Sequence, residues 1–238
     1  MGLFKVIVSA LFPNSCVCCG EIISEGEYLC EYCDEMSEKV DFTKNCSVCG
    51  LLKKECQCNK RVFHFNGCTA PFYNTGVMQK AMYAYKFARK EHISKFFAQR
   101  MAISVKCCFS DVDFDIVTFV PTSLRRKMKR GFNQSEVLAK GVSKILNVKF
   151  ANNLLIYKNV NDVQHHLGFE QRFENVKGKF LPNKKVSLNG KTILLVDDIK
   201  TTGATLDECA KQLLILGADK VYCVTGLMTV KNKKKEGK

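Results

Sequence analysis

The sequence predicts an α/β fold, a parallel sheet with helices on both faces, preceded by a small cysteine-rich module. Nine of the 14 cysteines lie between residues 16 and 58 of the 238-residue chain. Strand-like and helix-like segments alternate through the second half of the chain, an order that is typical of parallel sheets. Hydrophobic residues make up 46% of the chain, which is enough for a packed core.

The N-terminal module is expected to span residues 1–62. Residues 1–12 contain an apolar run that ends before Pro13, with Lys5 as the single basic residue. This pattern favours a short amphipathic helix over a secretory signal. The segment that follows, 14–60, has no long apolar run, so we expect it to need a metal ion to fold.

Four closely spaced cysteine pairs predict two zinc sites, a double zinc ribbon. Three pairs have the spacing Cys-x2-Cys and the fourth has Cys-x-Cys. Two such pairs hold one zinc ion in a closed, structural site. Cys18 could replace Cys19, although Cys19 keeps the regular spacing, and a set of free thiols is the alternative interpretation. The predicted ligands are Cys16, Cys19, Cys30 and Cys33 in the first site and Cys46, Cys49, Cys56 and Cys58 in the second.

The charge of the chain predicts a polyanionic partner. The formal net charge is +14 at pH 7, which favours phosphate-rich small molecules or nucleic acid. Residues 231–238 account for part of this charge and are expected to form a disordered basic tail. Since no apolar stretch is long enough to span a bilayer, we expect a cytoplasmic protein that does not cross the membrane.

The remaining residues, 63–230, are expected to form the α/β domain. Residues 61–73 are expected to be extended, and apolar residues at mixed three- and four-residue spacing predict one or two helices within 75–104. Further strands are predicted at 115–120, 154–157, 192–196 and 220–227, and further helices at 133–146 and 205–216.

The segment 193–206 carries the strongest functional signal. A buried strand is followed by Asp197 and Asp198, then by a turn of small hydroxyl residues around Gly203, and then by a helix. Backbone N–H groups of such a turn and helix start can bind an anion. Carboxylates are unsuited to phosphate but accept hydrogen bonds from ribose hydroxyls. The alternative is an ordinary turn whose polar residues cap the helix.

This segment resembles the motif with which type I phosphoribosyltransferases bind phosphoribosyl pyrophosphate (PRPP). The resemblance implies a type I phosphoribosyltransferase-like domain that binds PRPP together with Mg²⁺. Asp197 and Asp198 would then contact the ribose hydroxyls and are the candidate catalytic residues. The residues implied to bind the 5′-phosphate are Thr201, Thr202, Gly203, Ala204 and Thr205.

Other motifs resemble the competence protein F (ComF) family. Arg130, Asn133 and Gln134 follow a strand that ends at Val120-Pro121, and they are implied to be further ligand-binding residues. A downstream run has the same resemblance, which in all covers nearly the whole chain. The residues of that run are Gln164, Leu167, Arg172, Asn175 and Phe180.

A dense basic segment lies in the middle of the domain. Five of the six residues in 125–130 are Arg or Lys. They could clamp a pyrophosphate group or follow a nucleic-acid backbone, with Phe132 stacking on a base. The alternative is a solvated, mobile loop, and Phe132 is expected to be a core residue.

Two functions remain open at this level. The resemblance implies a PRPP-binding protein that acts in DNA uptake or handles single-stranded DNA, together with the competence machinery. The alternative is an active phosphoribosyltransferase that transfers phosphoribose from PRPP to an acceptor. The sequence contains no motif that identifies an acceptor, and fold alone does not establish turnover.

Overall fold

The structure, a computed structural model, describes residues 14–56, 58–59, 61–87, 91–158 and 169–230, and side chains in the last range from residue 171 onward. The predicted helix at 1–12, the predicted tail at 231–238, Gln164 and Leu167 lie outside these residues. The elements are α1 (Glu31–Glu35), β1 (Gly67–Thr69), β2 (Phe72–Tyr73), α2 (Gly76–Phe87), α3 (Glu91–Cys108), β3 (Ile116–Phe119), α4 (Leu124–Arg130), α5 (Gln134–Leu146), β4 (Lys149–Phe150), β5 (Leu155–Tyr157), α6 (Phe169–Val176), β6 (Phe180–Pro182), β7 (Thr192–Lys200), α7 (Ala204–Ile215) and β8 (Lys220–Met228).

The main sheet is parallel and has β7 at its centre. Its strands follow the order β1-β8-β7-β3-β4, and β2 also pairs with β8. Every pair within this sheet is parallel. The carboxyl ends of its strands therefore meet at one edge, where ligands bind in open α/β folds. The predicted fold class is confirmed.

Side chains of β7 alternate between two hydrophobic cores. Leu194 and Val196 belong to the core that contains α2, α3 and α5, whereas Ile193 and Leu195 belong to the core that contains α7. Helices thus cover both faces of the sheet, as predicted. Phe132 is buried in the first core, as expected.

The predicted elements differ from the structure mainly at their ends. The predicted strand 192–196 continues to Lys200, because its backbone pairs with β8 as far as Met228. The predicted strand 154–157 is β5, which lies outside the main sheet in an antiparallel pair with β6. The predicted helical region 75–104 is occupied by α2 and α3, and α3 continues beyond it to Cys108.

The basic segment is a helix, α4, and not a loop. The side chain of Ser123 caps its start by accepting a hydrogen bond from the N–H of Arg126 at 3.3 Å. Gly131 ends the helix with a φ of +79°, a conformation that favours glycine. Among the described residues, no helix is both long and apolar enough to cross a bilayer.

Candidate functional site

Asp197 lies in the C-terminal half of β7 and is 9% exposed. Its Oδ1 accepts hydrogen bonds from the hydroxyl of Ser135 at 2.7 Å and from the N–H of Asp198 at 2.8 Å. Burial and the charge of Asp198 raise the pKa of Asp197 to about 7, although these two hydrogen bonds oppose the change. The ionised form of this carboxyl group is therefore disfavoured in the folded protein.

Asp198 forms an ion pair that the sequence analysis did not foresee. Lys86, in the last turn of α2, holds its Nζ 2.9 Å from Oδ2 of Asp198. The two side chains are 19% and 16% exposed, so the pair faces the solvent in part. Both predicted carboxylates thus have protein partners, and both still line an open cleft.

The chain turns sharply after β7. Gly203 has a φ of +88° and directly precedes α7. A side chain at this position would also lie only 3.2 Å from Cε of Lys200. Lys200 is buried under the turn, and its Nζ has no hydrogen-bond partner among the described residues. Of the predicted 5′-phosphate residues, Gly203 and Ala204 are buried, Thr202 and Thr205 are half-buried, and Thr201 is exposed.

A cleft of about 320 Å³ lies beside the two carboxylates. Arg126, Arg130 and Lys179 line the same cleft. Acidic acceptors and basic donors thus meet around one space, which suits a ligand that carries both hydroxyl and phosphate groups. Of the predicted ligand-binding residues, the cleft is lined by Asp197, Asp198, Thr205, Arg130, Asn133 and Gln134.

Asn133 and Gln134 are largely occupied by contacts within the protein. Asn133 caps α5 by accepting a hydrogen bond from the N–H of Ser135 at 3.1 Å. The carboxamide oxygen of Gln134 accepts a hydrogen bond from Nη1 of Arg130 at 3.0 Å. These residues fix the shape of the cleft wall, while Arg172 is exposed and does not line the cleft.

The eight predicted zinc ligands form two groups of four. Within each group all four sulfur atoms lie within 4.8 Å of one another. The pair Cys46–Cys58 is 3.8 Å apart. Thiolates at the corners of a tetrahedron, about 2.3 Å from a zinc ion, are separated by about 3.8 Å, so the arrangement fits zinc. The groups are Cys16, Cys19, Cys30, Cys33 and Cys46, Cys49, Cys56, Cys58.

The cysteines of the two groups differ in acidity: the pKa values of Cys16 and Cys46 are lowered, whereas those of Cys30, Cys33 and Cys58 are raised. Although burial alone raises the pKa of Cys46, backbone N–H groups of Cys49 and Val48 contribute to lowering it to about 7. Burial and neighbouring thiols raise the pKa of Cys18 to about 12. Cys18 is not in either group, which agrees with the preference for Cys19.

The linker that follows the second cysteine group in the chain, and that includes Arg61 and His64, contacts the start of α7. The buried carboxylate of Asp207 accepts a hydrogen bond from the N–H of His64 at 2.6 Å. Nη2 of Arg61 lies 3.6 Å from the same carboxylate, and its guanidinium stacks on Phe173 at 3.5 Å. The sequence contained no signal for these contacts, because they join residues far apart in the chain.

Comparisons with known proteins find relatives of this chain by sequence. The chain is 29% identical over 144 residues to the DNA utilization protein YhgH of Escherichia coli, covering 58% of this chain and 63% of that protein. It is 33% identical over 103 residues to competence protein F of Haemophilus influenzae, covering 43% and 45%. These proteins are its homologues. The resemblance to ComF proteins that the motifs predicted is confirmed, and no family model matches the chain.

The match to each of these relatives spans less than two thirds of the relative's length. Solved structures with a partial likeness include a PRPP amidotransferase of B. subtilis, with 19% identity, a TM-score of 0.41 and coverage of 61% of this chain and 30% of that one. An adenine phosphoribosyltransferase has 15% identity, a TM-score of 0.39 and coverage of 60% and 73%.

Proposed function

We propose that the cleft binds PRPP. The observation that carries this proposal is the pair of adjacent carboxylates, Asp197 and Asp198, in the C-terminal half of the central strand, in one cleft with Arg126 and Arg130. The carboxylates can accept hydrogen bonds from a ribose diol, and the guanidinium groups can donate to phosphate oxygens. The turn at Gly203 and the start of α7 offer backbone N–H groups to the 5′-phosphate.

Mg²⁺ fits the chemistry of this cleft. It is commonly held by one or two carboxylates together with phosphate oxygens of the ligand. Asp197 and Asp198 can supply the carboxylates. When bound, the ion would neutralise charge on the phosphates.

Calorimetry with Mg²⁺-PRPP tests the proposal. Replacing both Asp197 and Asp198 by alanine is expected to lower the affinity by at least about 100-fold, since two charged hydrogen-bond acceptors are lost. The matched control replaces Asp113 and Asp219, which are exposed outside the cleft. Unchanged affinity in the first variant would remove the site, provided that both variants unfold at a similar temperature.

We further propose that the protein handles single-stranded DNA along α4 and the adjoining end of α2. Its homologues bear names that refer to DNA utilization and competence. Phe132 is buried, as expected for a core residue, and is therefore not available to stack on a base. Tyr83 and Phe87 form an exposed aromatic pair instead, with ring centroids 4.7 Å apart, and the guanidinium of Arg130 lies 5.9 Å from the ring of Phe87. Exposed aromatic rings beside basic groups are a typical single-strand binding surface.

Binding of a fluorescent single-stranded oligonucleotide tests this surface. Replacing Tyr83 and Phe87 by alanine is expected to weaken binding by roughly 10-fold or more, because each stacked base contributes about 1–3 kcal/mol. Affinity of the wild type should also fall steeply with salt. The control variant replaces Ile103, which is also a large exposed apolar residue but lies on α3. Equal affinities for both variants would exclude the aromatic pair.

The alternative function is phosphoribosyl transfer to an acceptor. A transferase would release pyrophosphate from PRPP only when the correct acceptor is added. Incubating the protein with Mg²⁺-PRPP and a panel of bases, amides and single-stranded DNA distinguishes it from a protein that only binds PRPP. Acceptor-dependent release that Asp197→Ala abolishes would establish the transferase.

A further inference from the structure

Lys86 is a cleft residue that neither the motifs nor the family resemblance assigns to the site. It lies in the last turn of α2 and lines the cleft with Asp198. The Nζ–Oδ2 distance of 2.9 Å describes a complete ion pair, but both side chains remain partly exposed. The pair lies in the cleft wall and not in the core, so a ligand that enters the cleft can reach both partners.

The main chain at Lys86 is anchored by buried contacts, whereas its side chain is held at its tip by the ion pair with Asp198. The hydroxyl of the neighbouring Tyr85 donates to the backbone carbonyl of Gln134 at 2.9 Å, and the Tyr85 ring packs edge-on against Phe132. Tyr85 is 1% exposed, so this anchor is buried. The flexible four-carbon stem of lysine can therefore redirect its ammonium group within the cleft while the helix stays in position.

Ligand binding sets up a competition for Asp198. In the proposed complex this carboxylate accepts hydrogen bonds from the ribose diol or coordinates Mg²⁺. A divalent cation near Asp198 repels the ammonium group of Lys86 that occupies the same carboxylate. The phosphate oxygens that enter with the ligand offer Lys86 a new anionic acceptor.

We propose that Lys86 is an exchangeable cation: it neutralises Asp198 in the unliganded cleft and contacts the diphosphate of PRPP in the complex. This inference rests on the proposed PRPP site. Lys86 is expected to contact the diphosphate because this group is attached to C1 of the ribose, next to the diol that faces Asp198. The 5′-phosphate is assigned to the turn at Gly203. Lys86 thus complements Arg126 and Arg130 in binding the diphosphate.

Two ligands separate this role from a purely structural one. PRPP and ribose 5-phosphate share the diol and the 5′-phosphate, but only PRPP carries the diphosphate. Calorimetry with both ligands, at one Mg²⁺ concentration, is applied to the wild type, Lys86→Met and Lys86→Arg. Lys80→Met is the matched control, because Lys80 is exposed on the same helix and its loss changes the net charge equally.

We expect Lys86→Met to weaken PRPP binding by about 10- to 100-fold, the effect of losing one charge-assisted hydrogen bond. Ribose 5-phosphate should bind this variant as tightly as the wild type or more tightly, because the competitor for Asp198 is gone. Lys86→Arg should bind PRPP more tightly than Lys86→Met does, and Lys80→Met should match the wild type.

Two results would overturn the inference while leaving the PRPP site intact. Equal losses for both ligands would mean that Lys86 only orders Asp198, and unchanged PRPP affinity would mean that it does not contact the ligand. A wild-type protein that binds neither ligand would refute the proposed function itself. If Lys86→Met fails to fold, Lys86→Arg still tests the inference when both ligands are compared on it. The bulkier guanidinium should change the affinity for PRPP, and not that for ribose 5-phosphate, only if residue 86 contacts the diphosphate.

Discussion

Replacing Asp197 by asparagine is expected to stabilise the unliganded protein and to do so more strongly at pH 8 than at pH 6. The carboxyl group is buried next to Asp198, and these two causes raise its pKa from the usual 3.8 to about 7. Above that pH the folded protein contains a charge that its surroundings disfavour. Asparagine keeps an oxygen that can accept the hydrogen bond from Ser135, but it carries no charge.

The magnitude follows from the linkage between proton binding and folding. Because the pKa of Asp197 is raised on folding, its contribution to stability is greatest below pH 3.8 and is lost as the pH rises to about 7. The difference between the two pKa values corresponds to a loss of about 4 kcal/mol in the free energy of unfolding, at 1.36 kcal/mol per pKa unit. About one pH unit of this range lies between pH 6 and pH 8, so the advantage of the variant should grow by about 1 kcal/mol.

Urea unfolding at pH 6 and pH 8 measures this difference. Asp113→Asn is the control, since Asp113 is exposed and the variant changes the net charge equally. Zinc loss at the lower pH affects all three proteins alike and cancels in the comparison. A gain in the free energy of unfolding that is the same at both pH values, or a loss at pH 8, would refute the argument. The stabilised variant should also lose affinity for PRPP.

Three further outcomes test the zinc module and its attachment. Metal analysis should find two zinc ions per chain, one fewer in Cys49→Ser and none fewer in Cys107→Ser, which changes a cysteine outside both groups. Gly50→Ala should lower the free energy of unfolding by more than about 2 kcal/mol, because Gly50 has a φ of +71° and an added Cβ would lie 2.5 Å from a backbone oxygen. Gly20→Ala is the control: Gly20 has a φ of +84° but open space around it, so this variant should lose only about 1 kcal/mol. Asp207→Ala should lower the free energy of unfolding by about 1–3 kcal/mol in urea, and an unchanged value would show that the linker contacts are unimportant.

The fold class was predictable because buried parallel strands leave continuous apolar runs such as the one that ends at Val196. The end of β7 was not predictable, because the side chains become polar at Asp197 while the backbone pairing continues to Lys200. β5 and β6 were difficult for a different reason. Each has three residues, which is too few to show a side-chain period or to indicate the direction of a partner strand.

The candidate site divides in the same way. The position of Asp197 and Asp198 at the cleft and the grouping of the eight cysteines were predictable, because each set is local in the sequence and has a characteristic spacing. Lys86 and Ser135 were not, because they reach Asp198 and Asp197 only after α2 and α5 have packed at the carboxyl edge of the sheet. Tyr83 and Phe87 were hidden in a helical apolar pattern, and their exposure in the structure is what makes them candidates for the proposed DNA surface.

The segment from Asp197 to Gly203 concentrates features that oppose folding. Asp197 is a buried carboxyl group with a raised pKa, Lys200 is a buried amine without a hydrogen-bond partner in the described structure, and Gly203 has a positive φ. By contrast, the buried Asp207 a few residues later is fully engaged by Arg61 and His64. Packing alone would favour apolar side chains at these positions in the sheet. A ligand whose hydroxyl groups donate hydrogen bonds to Asp197 and whose phosphate oxygens lie near the turn would offset part of this cost in folding free energy. This is a physical reason to locate binding at this edge of the sheet.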